Sequence, residues 1–282
     1  LEGLTGNGHE VLRLVRTAGT GAADTRRWDP AGGDLDPAHL AGCDAVINLN
    51  GRSIAEGRWS DAVRAGLRSS RLDATRLLAT TLGQLPEPRP CLINASAVGY
   101  YGDRGDDELS ESSASGSGFL AELTVDWEAA ALAAREAGVR VVLIRLGMVL
   151  ARDGALGKML PAFRVGAGGP IGSGRQWWPW IALDDVVGAV QFLLDTPAVD
   201  GPVNLVAPSA TRCRDFTSTL GRVLRRPAVL PMPAFAARLA LGEMADALLL
   251  ASARVRPDAL LEHGYAFRHP ELDGALRHIL GR

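Results

Sequence analysis

The sequence predicts an α/β fold, a Rossmann-like doubly wound parallel sheet with a smaller C-terminal lobe, and three observations predict it. From Val11 to Val149, short apolar runs alternate with longer segments of helical periodicity, the rhythm of parallel strands with helices on both faces. Two of the runs, Leu92-Ile93 leading to Asn94 and Ser96, and Val141–Ile144 within Arg140–Arg145, are short and apolar, as strands buried on both faces are. Beyond Val149 the rhythm gives way to a glycine-rich stretch and then to helical segments. A nucleotide-binding domain over residues 1–150 and a substrate lobe over 151–282 are expected, with Val203–Val206 returning to the sheet.

Composition narrows the function classes. A chain of 282 residues with 47% apolar and 22% charged residues has enough material for a large core. The formal net charge of −2 gives no long-range field to draw in nucleic acid or an anionic membrane, and no apolar run is long enough to span a bilayer. Cys43, Cys91 and Cys213 are odd in number and widely spaced. That argues for buried thiols in a reducing compartment, the cytoplasm, rather than a disulfide framework, and no metal site is expected. Lys158 is the only lysine.

In order along the chain, Leu1–Gly8 reads as the tail of a helix capped by glycine and His9–Arg16 as a strand. Gly3, Gly6 and Gly8 do not form a phosphate loop, because such a loop leaves a strand and opens a helix. Arg16 stands where a dinucleotide fold places the group that reads the ribose; a basic side chain there favours a 2′-phosphate, hence NADP, or is a solvated surface arginine. Thr17–Asp36 is a polar connection with a short edge strand at Thr25–Trp28. Asp44–Leu49 is a strand broken by Asn50-Gly51, and glycine there lets backbone approach a cofactor. Arg58–Leu85 carries a helical apolar stripe; Arg71 within it turns to the sheet edge or to solvent.

The organising stretch is Cys91–Gly102. Its apolar run reaches Asn94 and Ser96 before small residues turn the backbone, as a buried strand ends at the ligand-binding edge of an open sheet. Ser96 is a candidate to meet substrate or nicotinamide; the alternative is that Ser96 and Asn94 cap a loop. An acidic loop (Asp103–Glu111), a helix (Gly118–Gly138) and the strand Arg140–Arg145 follow, the last ending at Gly147-Met148-Val149. Ala151–Trp180 reads as a long loop region. Its tryptophans, Trp177, Trp178 and Trp180, pack between lobes or form a substrate platform. Asp184-Asp185 open a helix to Leu194, where they suit free amides and the dipole. Thr211–Arg282 is mostly helical.

Several of these stretches together resemble one family. Ala95-Ser-Ala-Val-Gly-Tyr-Tyr-Gly102, Gly157-Lys-Met-Leu160, Gly168-Gly-Pro-Ile-Gly-Ser-Gly-Arg-Gln176 and His263-Gly-Tyr-Ala-Phe267 look like the epimerase branch of the extended short-chain dehydrogenase/reductases. Trp28-Asp-Pro30, Arg58-Trp59 and Ser70-Arg71 fit the same branch, which carries a characteristic short C-terminal domain. The resemblance implies NADP(H) bound near strand ends, with Arg16, Leu49, Asn50, Gly51, Arg71, Ser96, Gly147 and Val149 as the matching cofactor positions. It implies a small-molecule substrate, a carbonyl or sugar, handled by Ser96 with Tyr100 or Tyr101, and leaves a homodimer open.

Two departures accompany the matches. The family's first strand and Gly-rich turn, which cradle the pyrophosphate at a helix N-terminus, are not in this chain, so a fragment or misplaced start is expected, and cofactor binding is weakened if the turn is truly missing. The usual Tyr-x-x-x-Lys pair, in which lysine lowers the tyrosine pKa, is also absent: the aligned helix offers Leu120 and Thr124. Ala182 stands where relatives commonly carry histidine. A non-catalytic NADP(H)-binding regulator or scaffold is therefore the alternative to an oxidoreductase or epimerase-like enzyme.

Overall fold

The computed structural model describes residues 2–17, 23–55 and 57–282; Leu1 and the middle of the Thr17–Asp36 connection lie outside them. Helix α1 (Glu2–Gly6) ends in a turn at Gly8, whose φ of +85° suits glycine. Strand β1 (Arg13–Val15) pairs in parallel with β2 (Thr25–Arg27). It is shorter than the predicted His9–Arg16 run because its partner offers only three residues. Strand β3 (Ala45–Asn48) follows, then α2 (Asp61–Gln84), whose first turn is capped by the Ser60 hydroxyl accepting from the Val63 amide. Strand β4 (Cys91–Ala97) leads through a 3-10 turn (Val98–Tyr101) to the two-residue β5 (Glu108–Leu109) and to α3 (Phe119–Leu132). Strands β6 (Val141–Leu146) and β7 (Met148–Leu150) complete the first half.

The second half opens with α4 (Gly154–Arg164), inside the stretch expected to be a loop. Gly154, Gly157 and Pro161 hide it, but Leu156, Leu160 and Phe163 fall on one buried face at helical spacing. Strand β8 (Trp180–Ala182) pairs with β7, α5 (Leu183–Asp195) follows directly, and β9 (Gly201–Leu205) returns to β6 as expected. Then come α6 (Cys213–Leu224), α7 (Ala234–Leu241), α8 (Glu243–Ala245) and a π turn over Asp246–Leu250. The chain ends with β10 (Arg254–Val255), which pairs with β5, and with α9 (Asp258–Glu262) and α10 (Leu272–Leu280).

The main sheet is parallel, in the order β3-β4-β6-β9. Strand alternation assigns its two faces. Leu92, Val141 and Leu143 pack with Leu78, Leu82, Ala131 and Ala134 under α2 and α3. Ile93, Val142, Ile144, Val203 and Leu205 pack with Ala189, Val190 and Leu193 of α5. Both faces are thus covered, as the alternating rhythm predicts. Among the described residues β1 and β2 form a separate parallel pair, with no strand bridging them to β3.

The lobe has its own core, where Leu156, Leu160 and Phe163 of α4 meet Phe216, Leu220, Leu276 and the tryptophans Trp178 and Trp180. Packing is the role the structure gives those two rings, with Trp178 edge-on to Phe216 at 5.6 Å. The Gly168–Gly174 run lets two backbones touch: Leu230 N donates to Gly168 O at 3.1 Å and Met232 N to Pro170 O at 2.9 Å. A Cβ on Gly169 would lie 2.0 Å from the Leu230 carbonyl oxygen. Among the described residues no helix is long and apolar enough to cross a membrane.

Candidate functional site

Parallel pairing brings the carboxyl ends of β3, β4 and β6 to one edge, with Asn48 beside Asn94 and Ser96 beside Arg145. Buried Asn48 organises the first of these ends. Its amide donates to Thr75 Oγ1 (2.9 Å) and Asn94 Oδ1 (2.6 Å), and its Oδ1 accepts from the Asn50 backbone (3.2 Å) and side chain (3.0 Å). The turn so fixed leaves Leu49 outside, 65% exposed. Gly51 then passes Arg71 so closely that a Cβ would stand 3.1 Å from the guanidinium carbon. Arg71 donates to the carbonyls of Leu67 and Arg52, each at 3.1 Å, and its guanidinium lies 5.1 Å from the Trp127 ring centre. Burial pulls its pKa below the ordinary arginine value. Leu49, Asn50, Gly51 and Arg71 therefore converge.

The predicted catalytic side chains meet in a different setting. Ser96 is 2% exposed, and its hydroxyl donates to Glu128 Oε1 at 2.5 Å. Glu128 also receives both arms of Arg145, Nε and Nη2, each at 2.8 Å. Arg145 Nη1 donates to the Tyr101 hydroxyl at 2.9 Å, and that hydroxyl donates to Asn204 Oδ1 at 2.7 Å. Burial dominates at Tyr101 and pushes its pKa up to about 12, against the lowering pull of Arg145. Ser96 and Tyr101, expected to meet substrate, are each buried, and each hydroxyl is hydrogen-bonded to a neighbouring side chain. Tyr100 differs. It is half-buried, its ring stands edge-on to Tyr101, and the Arg145 guanidinium lies 3.5 Å from its centre. Among the described residues its hydroxyl has no hydrogen-bond partner.

Leu120 and Thr124 do stand beside this turn, since a Cβ on Gly99 would touch both. Thr124 donates its hydroxyl to its own helix, at Leu120 O (2.6 Å), and Leu120 is apolar, so the two positions supply no acid. The Glu128–Arg145 pair is the element that sequence reasoning missed. Its signal was present as an arginine ending an apolar buried strand and a glutamate among the alanines of a helix, because buried charges need partners.

The remaining predicted residues scatter. Gly147 follows β6 at the same edge, where its amide donates to Leu205 O (3.1 Å) and a Cβ would lie 2.8 Å from Pro179 O. Val149, on β7, pairs with Ile181 and packs against the core under the sheet. Arg16 is exposed just past β1, on the separate strand pair, so the structure does not join it to the sheet edge. Asp184 and Asp185 stand in the first turn of α5 as expected, where they suit the dipole, but neither side chain takes up the expected capping of a first-turn amide. Asp185 is buried and accepts instead from the amides of Arg268 (2.7 Å) and His269 (3.0 Å) and from the Tyr265 hydroxyl.

Comparison with known proteins places this geometry. Residues 2–206 match the NAD dependent epimerase/dehydratase family, and residues 232–279 match DUF1731, a domain of unknown function. The chain is 44% identical over 275 residues to the epimerase family protein Mb2239 of Mycobacterium bovis, covering 97% of this chain and 90% of that one. The crystal structure of human epimerase family protein SDR39U1 (isoform 2) with NADPH superposes with a TM-score of 0.88 at 35% identity, over 99% of this chain and 93% of that one. A nucleoside-diphosphate sugar epimerase from Corynebacterium glutamicum gives 0.75 at 34% identity, over 97% of this chain and 53% of that one.

Proposed function

Because the chain belongs to the NAD dependent epimerase/dehydratase family, we propose that it binds NADP(H) at the carboxyl edge of β3, β4 and β6 and acts as an oxidoreductase or epimerase-like enzyme on a small carbonyl or sugar-type substrate. The observation that carries the reading is the convergence of Leu49, Asn50, Gly51 and Arg71. An exposed apolar side chain, a backbone free of side chain and a half-buried cation fit the flank of a nucleotide. The human relative crystallised with NADPH supports the same cofactor. Gly147 and Val149, past the end of β6, are the positions matched to the nicotinamide end. When bound, the cofactor supplies or accepts the hydride.

The protein's own contribution is the Tyr100 hydroxyl, on a half-buried ring that rests on Arg145. Glu128 holds that cation in place, and Ser96 fixes Glu128 in turn. A non-catalytic NADP(H)-binding regulator or scaffold is the second reading, favoured by Leu120 and Thr124 in place of the Tyr-x-x-x-Lys pair. We place either protein in a reducing cytoplasm, consistent with the three free cysteines. The two readings separate when full-length protein with NADPH is screened against aldehydes, ketones and nucleotide sugars by loss of nicotinamide absorbance. The enzyme reading predicts turnover that falls about a hundredfold or more in Tyr100→Phe. Cofactor binding without turnover on any substrate establishes the scaffold instead.

A further inference from the structure

Far along the chain from that edge, three side chains distant in sequence come together at the junction of α5 and the C-terminal segment. Asp184 stands in the first turn of α5, His269 in the loop before α10, and His278 on α10. His278 Nε2 lies 2.7 Å and His269 Nε2 3.6 Å from the same oxygen of Asp184, Oδ2. The two imidazoles stack with centroids 4.4 Å apart and planes 27° from parallel, so both Nε2 atoms turn towards one carboxylate. The three donor atoms lie within 4.8 Å of one another. We propose that Asp184, His269 and His278 form a binding site for a first-row divalent transition metal of the zinc class.

The donor spacing suits one ion. Two ligands bound at about 2.0–2.2 Å in tetrahedral geometry stand roughly 3.3 Å apart, and the two Asp184–histidine distances fall on either side of that value. The donors are also held by independent anchors. Asp185, beside Asp184 and fully buried, receives the backbone amide of His269 itself, at 3.0 Å, which ties the loop to the start of α5. Leu272, Ala275 and Leu276 bury α10 in the lobe core and fix the helix that carries His278. Ligands locked by their own supports lose little entropy on binding. Two imidazoles and one carboxylate favour zinc, cobalt, nickel or copper over magnesium or calcium. His278 is exposed, which leaves room for water to complete the coordination. An ion held there staples α5, which covers the main sheet, to the last helix of the chain.

The test uses untagged full-length protein stripped with a chelator and titrated with zinc chloride by calorimetry, alongside thermal melts. The site predicts saturable uptake of about one ion per chain, a higher melting temperature with zinc, and no such rise with magnesium. His269→Gln and His278→Gln should each weaken zinc binding at least about tenfold while leaving NADPH affinity unchanged. Uptake of the same strength in both variants, or no saturable uptake by the parent protein, overturns the proposal and leaves a plain histidine–aspartate hydrogen bond.

Discussion

Glu128 is the anion on which the interior of the site depends. It is 5% exposed, and it answers the charge of Arg145, which is likewise buried. Burial alone would lower the Arg145 pKa; its hydrogen bonds to Glu128 and Tyr101 prevail and hold it well above the ordinary range. Removing one partner of a buried pair leaves the other charge without compensation, typically at about 3–5 kcal/mol. Glu128→Gln is therefore expected to destabilise by about that much in urea denaturation, and Ser96→Ala by only about 1 kcal/mol. Tyr101 makes a second statement at this scale. In the unfolded chain its hydroxyl ionises near pH 10, but in the fold only near 12. The fold therefore keeps its full contribution below pH 10 and loses it as pH rises from 10 towards 12, by about 3 kcal/mol at most. Melting curves across alkaline pH should fall more steeply for the parent protein than for Tyr101→Phe.

Among the elements, the Gly168–Gly174 loop and α4 explain why the lobe is harder to read than the sheet. Apolar runs such as Val141–Ile144 announce strands directly, since a strand buried on both faces is mostly apolar. Helix α4 is concealed by residues that usually end helices. The glycines after it serve contact rather than flexibility: Gly169 meets the Leu230 backbone, and Gly168 lies where a Cβ would be 2.6 Å from the Phe163 ring. Gly169→Ala forces backbone against backbone and is expected to cost about 3 kcal/mol, read as a lower denaturant midpoint with an unchanged slope. The resemblance legible in Gly168–Gln176 thus rests on packing. The convergence of Gly51 with Arg71 was legible too, because a glycine past a strand end and an arginine on the next helix share one edge. Burial of Ser96 and Tyr101 was not, because it depends on Glu128 from α3 and Asn204 from β9, which no local pattern links to them.

At the scale of the molecule, the lobe closes on the Rossmann-like half through charged contacts. Arg64 of α2 pairs with Glu243 of α8, and Arg58 donates to the Leu239 carbonyl at the end of α7. Trp177 donates to Asp106 at 2.8 Å, and Arg212 covers its ring at 4.2 Å. These contacts tie the lobe to the start of α2 and to the acidic loop after β4. The most direct measurement is NADPH affinity of the full-length protein by nicotinamide fluorescence, compared between the parent and Gly51→Leu. A leucine there meets the Arg71 guanidinium and fills the approach, so saturable binding by the parent and a loss of at least about tenfold, near 1.4 kcal/mol, is the expected result. Equal affinity in the two proteins, or none in the parent, would contradict the placement of the cofactor along this edge.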